Sequence, residues 1–323
     1  MTDHAPSMDR PDRVVLIAGP TASGKSALAV RLARHLGGTI INADSMQVYR
    51  DLRIVTARPS PQDEAEAPHR LYGALDGAER CSAGRFVDLA RNALRSCAQD
   101  GRTAILVGGT GLYFRALTEG LSPIPPVPDA IAADAARRVE EEGPDALHTA
   151  LGHRDPGTAA MLRPTDRQRL ARAWALLEAT GSGLAHWQRQ PGTPLLAAPT
   201  LRILLEAPRP WLWGRADGRF QAMLEQGGRK EVAALLDRDL DPSLPVMKAV
   251  GVREIAGLLE GSWDQAEAVR LGQTATRQYI KRQTTWFRHQ MADWLRLPAH
   301  LPEAAFEEAL DRLGAPEPER HLV

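Results

Sequence analysis

Short apolar runs punctuate the first third of the chain, each followed by polar or Gly-rich residues. VVLIA (Val14–Ala18) ends at a Gly-rich turn, which predicts a buried parallel strand. Residues 26–36 then carry helical spacing, and TIINA (39–43) predicts a second strand. Residues 86–99 read as a helix and TAILV (103–107) as a third strand. Strand–helix alternation at this interval predicts a three-layer α/β domain, a parallel sheet flanked by helices. The pattern breaks at LSPIPPVPD (121–129), which reads as a proline-rich linker. From 130 to 190 every signal is helical. TLRILLE (Thr200–Glu206) restores a strand pattern, so the chain is expected to rejoin the first sheet. The predicted organisation is a core of residues 13–120 and 199–297 with an all-helical insertion at 121–198. A disordered tail is expected at 1–12 and a Pro- and Glu-rich peripheral tail at 298–323.

Composition narrows the class. Of 323 residues, 43% are hydrophobic and 25% charged, which suffices for a sizeable core. No apolar run approaches a membrane span, and the polar N-terminus lacks a signal peptide's hydrophobic stretch. A cytoplasmic monomer with no membrane partner is expected. Cys81 and Cys97 form no CxxC pair, which argues against a disulfide framework or cysteine-ligated zinc. The 40 basic and 40 acidic residues cancel, so total charge gives no sign of a nucleic-acid partner. Their distribution does: no acid occurs from 268 to 292, where Arg270, Arg277, Lys281, Arg282 and Arg288 lie.

Gly19, Pro20, Thr21, Ala22, Ser23, Gly24, Lys25 and Ser26 satisfy G-x-x-x-x-G-K-[ST]. Two glycines permit a tight turn that presents backbone N–H groups inward, and the helix that follows aims its positive end at the same point. Lys25 adds a mobile charge, and Ser26 offers a hydroxyl to Mg2+. A chance match is the bland alternative; the strand before and the helix after weigh against it. Such a loop binds phosphates in general, ATP included. An ordinary P-loop NTPase places an Asp after the strand corresponding to TAILV. Here that strand runs into Gly108, Gly109, Thr110 and Gly111, with no acid. The omission argues against a standard ATPase or small-molecule kinase, and for a ligand whose diphosphate is a leaving group.

The second predicted strand ends at Asp44. Ligands of open α/β sheets sit outside the carboxyl ends of the strands, so Asp44 is expected to face the cradle. A carboxylate there can accept a proton from a nucleophile; it is equally the kind of Asp that merely caps a turn. Ser45, Gln47 and Tyr49 line a substrate edge or decorate a loop. In residues 274–294, Arg277, Lys281, Thr284 and Arg288 share one helical face, with Tyr279, Ile280, Trp286, Phe287 and Trp294 on the other. The reading is a helix with an aromatic core face and a cationic stripe for a phosphate-rich polymer; the alternative is a solvated face. Gln168, Arg169 and Arg172 cluster in the insertion, where Trp174 reads as core.

These segments together resemble the tRNA dimethylallyltransferase family, or tRNA isopentenyltransferases, of bacterial type. The matching strings are GPTASGKS, INADSMQVYRDL, ILVGGTGLYFRAL, RPTDRQRLARAWALLE, RILLEAPR with RADGRFQAML, and TRQYIKRQTTWFR, in the family's order. The resemblance implies a P-loop-kinase-like core with a helical insertion. It implies transfer of a dimethylallyl group from dimethylallyl diphosphate to N6 of the adenosine 3′-adjacent to the anticodon. Thr21 to Ser26 would bind the diphosphate with Mg2+, joined by Arg215 and Arg219. Asp44 would be the general base, and Thr110 would act at the diphosphate and reacting atoms. Ser45, Met46 and Gln47 would lie beside the flipped base. Gln168, Arg169, Leu170, Ala171, Arg172, Arg277, Lys281 and Arg288 would grip the anticodon stem-loop.

The chain departs from the family where a Gly-Thr-Ala-Lys string reads Val55-Thr56-Ala57-Arg58, and where an arginine near Ile131 is replaced by Ala132. Both changes bear on tRNA contacts rather than on the chemistry. The eukaryotic relatives' C-terminal zinc finger is not expected here. Three alternatives stand beside this reading. An adenylate isopentenyltransferase would not need the long basic helices. A small-molecule kinase would want the missing acid. A non-catalytic RNA-binding P-loop protein would not need Asp44 and Thr110 at the cradle.

Overall fold

The structure is a computed structural model and describes residues 11, 13–196 and 200–314. The predicted tail at 1–12 falls outside the described residues except for residue 11. Two compact units emerge: residues 118–195 form one, and the described parts of 1–117 and 196–323 form the other.

The larger unit is built on six strands: β1 (Val14–Ala18), β2 (Thr39–Asn42), β3 (His69–Arg70), β4 (Ala104–Gly108), β5 (Thr200–Glu206) and β6 (Leu295–Pro298). They pair in the order β3-β2-β4-β1-β5-β6, parallel throughout. Every residue of β1, β2 and β4 is buried, which is why β1 and β4 read as unbroken apolar runs rather than alternating ones, while β2 keeps Ile40 and Ile41 between buried Thr39 and Asn42. Register sets the site. Ala18 pairs with Gly108 and Asn42 with Val107, so β1, β4 and β2 end level. The three loops that follow them are therefore neighbours at the carboxyl edge of the sheet.

The helix after the P-loop, Lys25–Leu36, begins at Gly24 (φ +83°), a left-handed conformation that suits glycine. Leu28, Ala29, Leu32 and Ala33 form its buried face. Helix Ala83–Gln99 starts three residues before the apolar pattern because Ser82 caps it, its hydroxyl accepting from Arg85 N.

One expectation is overturned. Part of the segment read as a peripheral tail from 298 onward is integral: β6 closes the sheet edge against β5, and helix Pro302–Gly314 packs on Lys25–Leu36. Ala305 and Ala309 are buried there, Arg31 pairs with Glu303 at 2.6 Å, and its guanidinium lies 4.1 Å from the Phe306 ring centroid. Small apolar residues at helical spacing carry this face, and the intervening Pro and Glu residues hid it. Residues 315–323 lie outside the described part.

The smaller unit is helical, with Asp129–Glu142, Pro144–Arg154 and Arg167–Thr180 as its main elements. Leu147, Leu151, Leu170 and Ala173 form its core with Trp174, whose ring lies 4.3 Å from Arg138 and 5.0 Å from Arg154. Trp174 is thus a core residue.

Candidate active site

The P-loop is held by short-range geometry and by one distant side chain. Ser23 N donates to Pro20 O at 3.2 Å, and Ala22 adopts φ +67°, left-handed without being glycine. Thr21 N donates to Gln283 Oε1 at 2.9 Å. Gln283 comes from the long helix Gln265–Gln290, and its Nε2 donates to Gly109 O at 3.0 Å. One amide therefore ties the loop after β1 to the loop after β4. Gln283 is only 5% exposed. Residues 276, 280, 283 and 287 are all buried, so a polar amide occupies a core position of the helix. That misfit was the available sequence signal, and its partners 262 and 174 residues away were not. Gln283→Leu should cost about 1–3 kcal/mol of stability, because it leaves buried polar groups unpaired. Urea unfolding measures this. The loss should shrink when a diphosphate is bound, since a phosphate oxygen can take the Thr21 N–H; an equal loss with and without ligand would contradict that assignment.

The glycines of the β4 loop allow this close approach. A Cβ on Gly108 would collide with the Ala43 carbonyl. On Gly109 it would strike Gln283 Nε2 and lie 3.1 Å from Asp44 Oδ2, and on Gly111 it would run into the Trp286 ring. Steric need thus accounts for glycine at these positions, beside the missing acid that the sequence shows.

Asp44 follows β2 and is fixed by its neighbours. Asn42, fully enclosed, accepts from Asp44 N at 2.8 Å and donates to Asp44 O at 3.0 Å and Leu71 O at 3.1 Å. Asp44 Oδ1 accepts from Met46 N at 3.0 Å. Thr110 Oγ1 accepts from Ser45 N at 2.9 Å and donates to Ser45 Oγ at 3.1 Å, which staples the loop after β2 to the loop after β4. Asp44, Ser45 and Met46 line a cavity of about 200 Å³ with Thr21, Arg219 and Tyr279. The P-loop and the carboxylate therefore share one space. A larger cleft of about 460 Å³ also borders Pro20, but its carboxylate, Glu206, is ion-paired to Arg296.

Charge converges on that cavity. Enclosure pushes the Lys25 ammonium down to about 8, with Arg219 acting in the same direction and the Asp44 charge opposing both. Arg219 is lowered by its own burial, again opposed by Asp44 and reinforced by Arg215. Burial, and then the Asp44 charge, raise the phenols of Tyr72 and Tyr279. Arg215 and Arg219 stand one turn apart on helix Arg209–Met223. Arg219 lines the cavity; Arg215 is exposed, donates from Nε to Ala22 O at 3.0 Å and sits 4.8 Å from the Trp211 ring. Ser26 is exposed in the first turn of its helix. Among the described residues no group of three or more His, Cys, Asp or Glu side chains is placed to hold a metal.

The residues expected at the RNA divide. Lys281 and Arg288 are exposed and have no acidic partner among the described residues. Arg277 does have one: it forms a two-pronged ion pair with Asp217, its Nε donating at 3.0 Å. The cationic stripe is shorter than the sequence suggests, because its acid comes from another helix, 60 residues away. In the smaller unit Gln168, Arg169 and Arg172 are exposed and Ala171 is half-buried. Leu170 is fully buried, so its side chain serves the core and not an RNA surface. Gln47 Nε2 donates to Thr56 O and Ala57 O, both at 2.8 Å, and so braces the neighbouring turn. The departures from the family string also turn inward. Val55 is buried, and Arg58 donates to Tyr49 O and Arg50 O, each at 3.3 Å.

Comparison with known proteins agrees with this geometry. A family model described as IPP transferase matches residues 47–290. A tRNA dimethylallyltransferase from Methylocella silvestris is 56% identical over 278 residues, 86% of this chain and 92% of that protein. One from Rhodopseudomonas palustris is 52% identical over 300 residues, 92% of this chain and 94% of that protein. Among solved structures, the full-length tRNA isopentenylpyrophosphate transferase from Bacillus halodurans is 31% identical, with TM-score 0.66 over 94% of this chain and 97% of that one. A eukaryotic dimethylallyltransferase acting on tRNA gives TM-score 0.79 at 26% identity, over 96% of this chain and 81% of that one.

Proposed function

This chain belongs to the IPP transferase family, and on that premise we propose that it moves a dimethylallyl group from dimethylallyl diphosphate to N6 of the adenosine 3′-adjacent to the anticodon of tRNA. The observation that carries the mechanism is the shared cavity: Asp44, Thr21 and Arg219 border one space at the carboxyl edge of the sheet. The diphosphate lies on the P-loop amides, with Lys25 and Arg219 against its charge and Arg215 at the loop's outer side. As the bond from the allylic carbon to the diphosphate oxygen breaks, these cations stabilise the charge that develops on the leaving group. The adenosine is extruded from its stacked loop into the cavity that Asp44 borders. Its amine forms the new C–N bond and gives its proton to Asp44. Diphosphate departs, and Asp44 then loses the proton to solvent. Thr110 and Gln283 keep the three loops after β1, β2 and β4 in register.

Magnesium fits through one protein donor. Ser26 offers a hydroxyl, and this ion commonly combines few protein ligands with phosphate oxygens and water. Bound there, it would neutralise diphosphate charge. No helix among the described residues is long and apolar enough to cross a membrane. The reading makes the enzyme a cytoplasmic monomer working on soluble RNA.

The decisive experiment supplies labelled dimethylallyl diphosphate and magnesium with either total tRNA or AMP. Label should enter tRNA at one adenosine. Label in AMP alone would favour an adenylate isopentenyltransferase, and ADP formed from added ATP in step with product would favour a kinase. The exposed cations of the long helix should supply affinity rather than chemistry. Lys281→Ala and Arg288→Ala should each lower the log–log salt slope of stem-loop binding by about one. Arg277→Ala should lower it less, because Asp217 already holds that charge. Unchanged slopes in the first two would make the stripe a solvated face.

A further inference from the structure

Val55 and Thr56 form part of the cavity wall facing Asp44. They belong to a turn, residues 53–57, whose backbone is gripped from two sides. On one side three consecutive N–H groups converge on a single carboxylate. Arg53 N donates to Glu231 Oε1 at 2.9 Å, Ile54 N to both oxygens at 2.8 Å, and Val55 N to Oε2 at 3.0 Å. On the other side Gln47 Nε2 holds the carbonyls of Thr56 and Ala57. Between these grips Ala57 sits at φ +54°, a left-handed conformation that a non-glycine residue keeps only when its surroundings impose it.

A row of convergent N–H groups is an anion nest. In this protein the anion is built in, some 176–178 residues away along the chain. Glu231 lies in the first turn of helix Arg229–Leu236. Val232 and Leu235 anchor that helix in the same apolar cluster as Val48, Leu52 and Val55. The preceding segment, Leu224–Gly228, supplies the bend: Gly227 has φ +114°, and a Cβ there would lie 3.2 Å from Ile54 Cδ1. Helix and turn are thus fitted to one another, with the carboxylate at their junction.

We propose that Glu231 is a positioning residue for the acceptor base. It fixes the turn that presents Val55 and Thr56 to the cavity, and so orients the extruded adenosine against Asp44. The proposal rests on reading this cavity as the acceptor pocket. It separates two kinds of RNA contact: phosphates bind the exposed cations, and the base is aligned by a wall that Glu231 holds. Loss of Glu231 should therefore spare RNA affinity and donor affinity while disturbing the base.

The test uses the full chain and two forms of an anticodon stem-loop, one with the natural adenosine and one with 2-aminopurine in its place. Filter binding gives RNA affinity, and 2-aminopurine fluorescence reports the environment of the base. In Glu231→Gln one N–H acceptor is replaced by an amide donor. The expected result is unchanged Kd for the stem-loop and for dimethylallyl diphosphate, loss of the fluorescence change seen with the wild type, and single-turnover transfer slower by about tenfold or more. Glu231→Asp keeps the charge but falls short of the three N–H groups, so it should show the same pattern to a smaller degree. It also carries the test should the amide variant not fold. Wild-type fluorescence and rate in either folded variant would overturn the proposal. A loss of rate that merely follows lowered thermal stability, with the fluorescence change intact, would overturn it too. If the wild type itself neither alters the fluorescence nor modifies the stem-loop, the acceptor reading fails, and that outcome is visible before any variant is made.

Discussion

Asp44→Asn should slow single-turnover transfer by about a hundredfold or more, the scale of losing a general base, in a protein that still folds. Folding should survive because the local role of Asp44 needs only an acceptor. Its Oδ1 receives the Met46 N–H at 3.0 Å, and an asparagine carbonyl can do the same. Its own backbone is fixed by Asn42, which the change does not touch. The lost group is the basic oxygen, and with it a charge that acts on Lys25, Arg219, Tyr72 and Tyr279. Two consequences accompany the rate. Stem-loop affinity should hold, since phosphate contacts dominate it. Affinity for dimethylallyl diphosphate near pH 7 should hold or rise, because one negative charge beside an anionic ligand is gone. Retention of the wild-type single-turnover rate would reduce Asp44 to a turn residue. Collapse of RNA binding with normal chemistry at saturation would make its role positional.

The fold was legible wherever burial on both faces leaves an uninterrupted apolar run. The strands β1 and β4 are of that kind; β2 shows Ile40 and Ile41 between buried polar ends, and β5 is half-buried over its first three residues with Arg202 among its apolar ones. The loops after β1 and β2 carry the P-loop and Asp44 to one edge. Two strands escaped notice for different reasons. The pair His69–Arg70 is too short to show a period. Leu295–Pro298 ends in a proline, and its backbone pairing with β5 is not a local property. The site was legible as residue types at strand ends and opaque as a network. Nothing local indicates that Gln283 bridges two loops, that Glu231 caps a turn near residue 55, or that Asp217 holds Arg277. Each is a polar side chain whose partner lies 60 to 262 residues away. The same limit applies to Leu170: a basic neighbourhood suggested an RNA surface, while helical phase turns that one side chain into the core.

Lys25→Ala should lower transfer by about a thousandfold or more if, as proposed, the P-loop lysine stabilises the charge that develops on the departing diphosphate. The variant should fold, since Lys25 is a cation held partly out of water and its enclosure lowers its pKa from 10.5 to about 8. That depression has a sign in stability. Between about pH 8 and 10.5 the unfolded chain binds a proton that the folded protein has released, so folding stability attributable to Lys25 rises with pH across that window. Below pH 8 both states hold the proton and the charged side chain is a standing cost. Lys25→Ala should remove this rise, which urea unfolding at pH 7 and pH 10 would show. The sign for ligand binding is opposite. Diphosphate needs the protonated lysine, so donor affinity of the wild type should weaken above about pH 8, by up to tenfold per pH unit, until the bound-state value is passed. In Lys25→Ala donor affinity should be low at every pH, and this inflection should be absent. Calorimetric titration of the donor from pH 6.5 to 9.5 reads both. A variant that transfers at near wild-type rate, or that keeps the inflection, would mean that another group carries the charge and that the P-loop lysine is not what stabilises the leaving diphosphate.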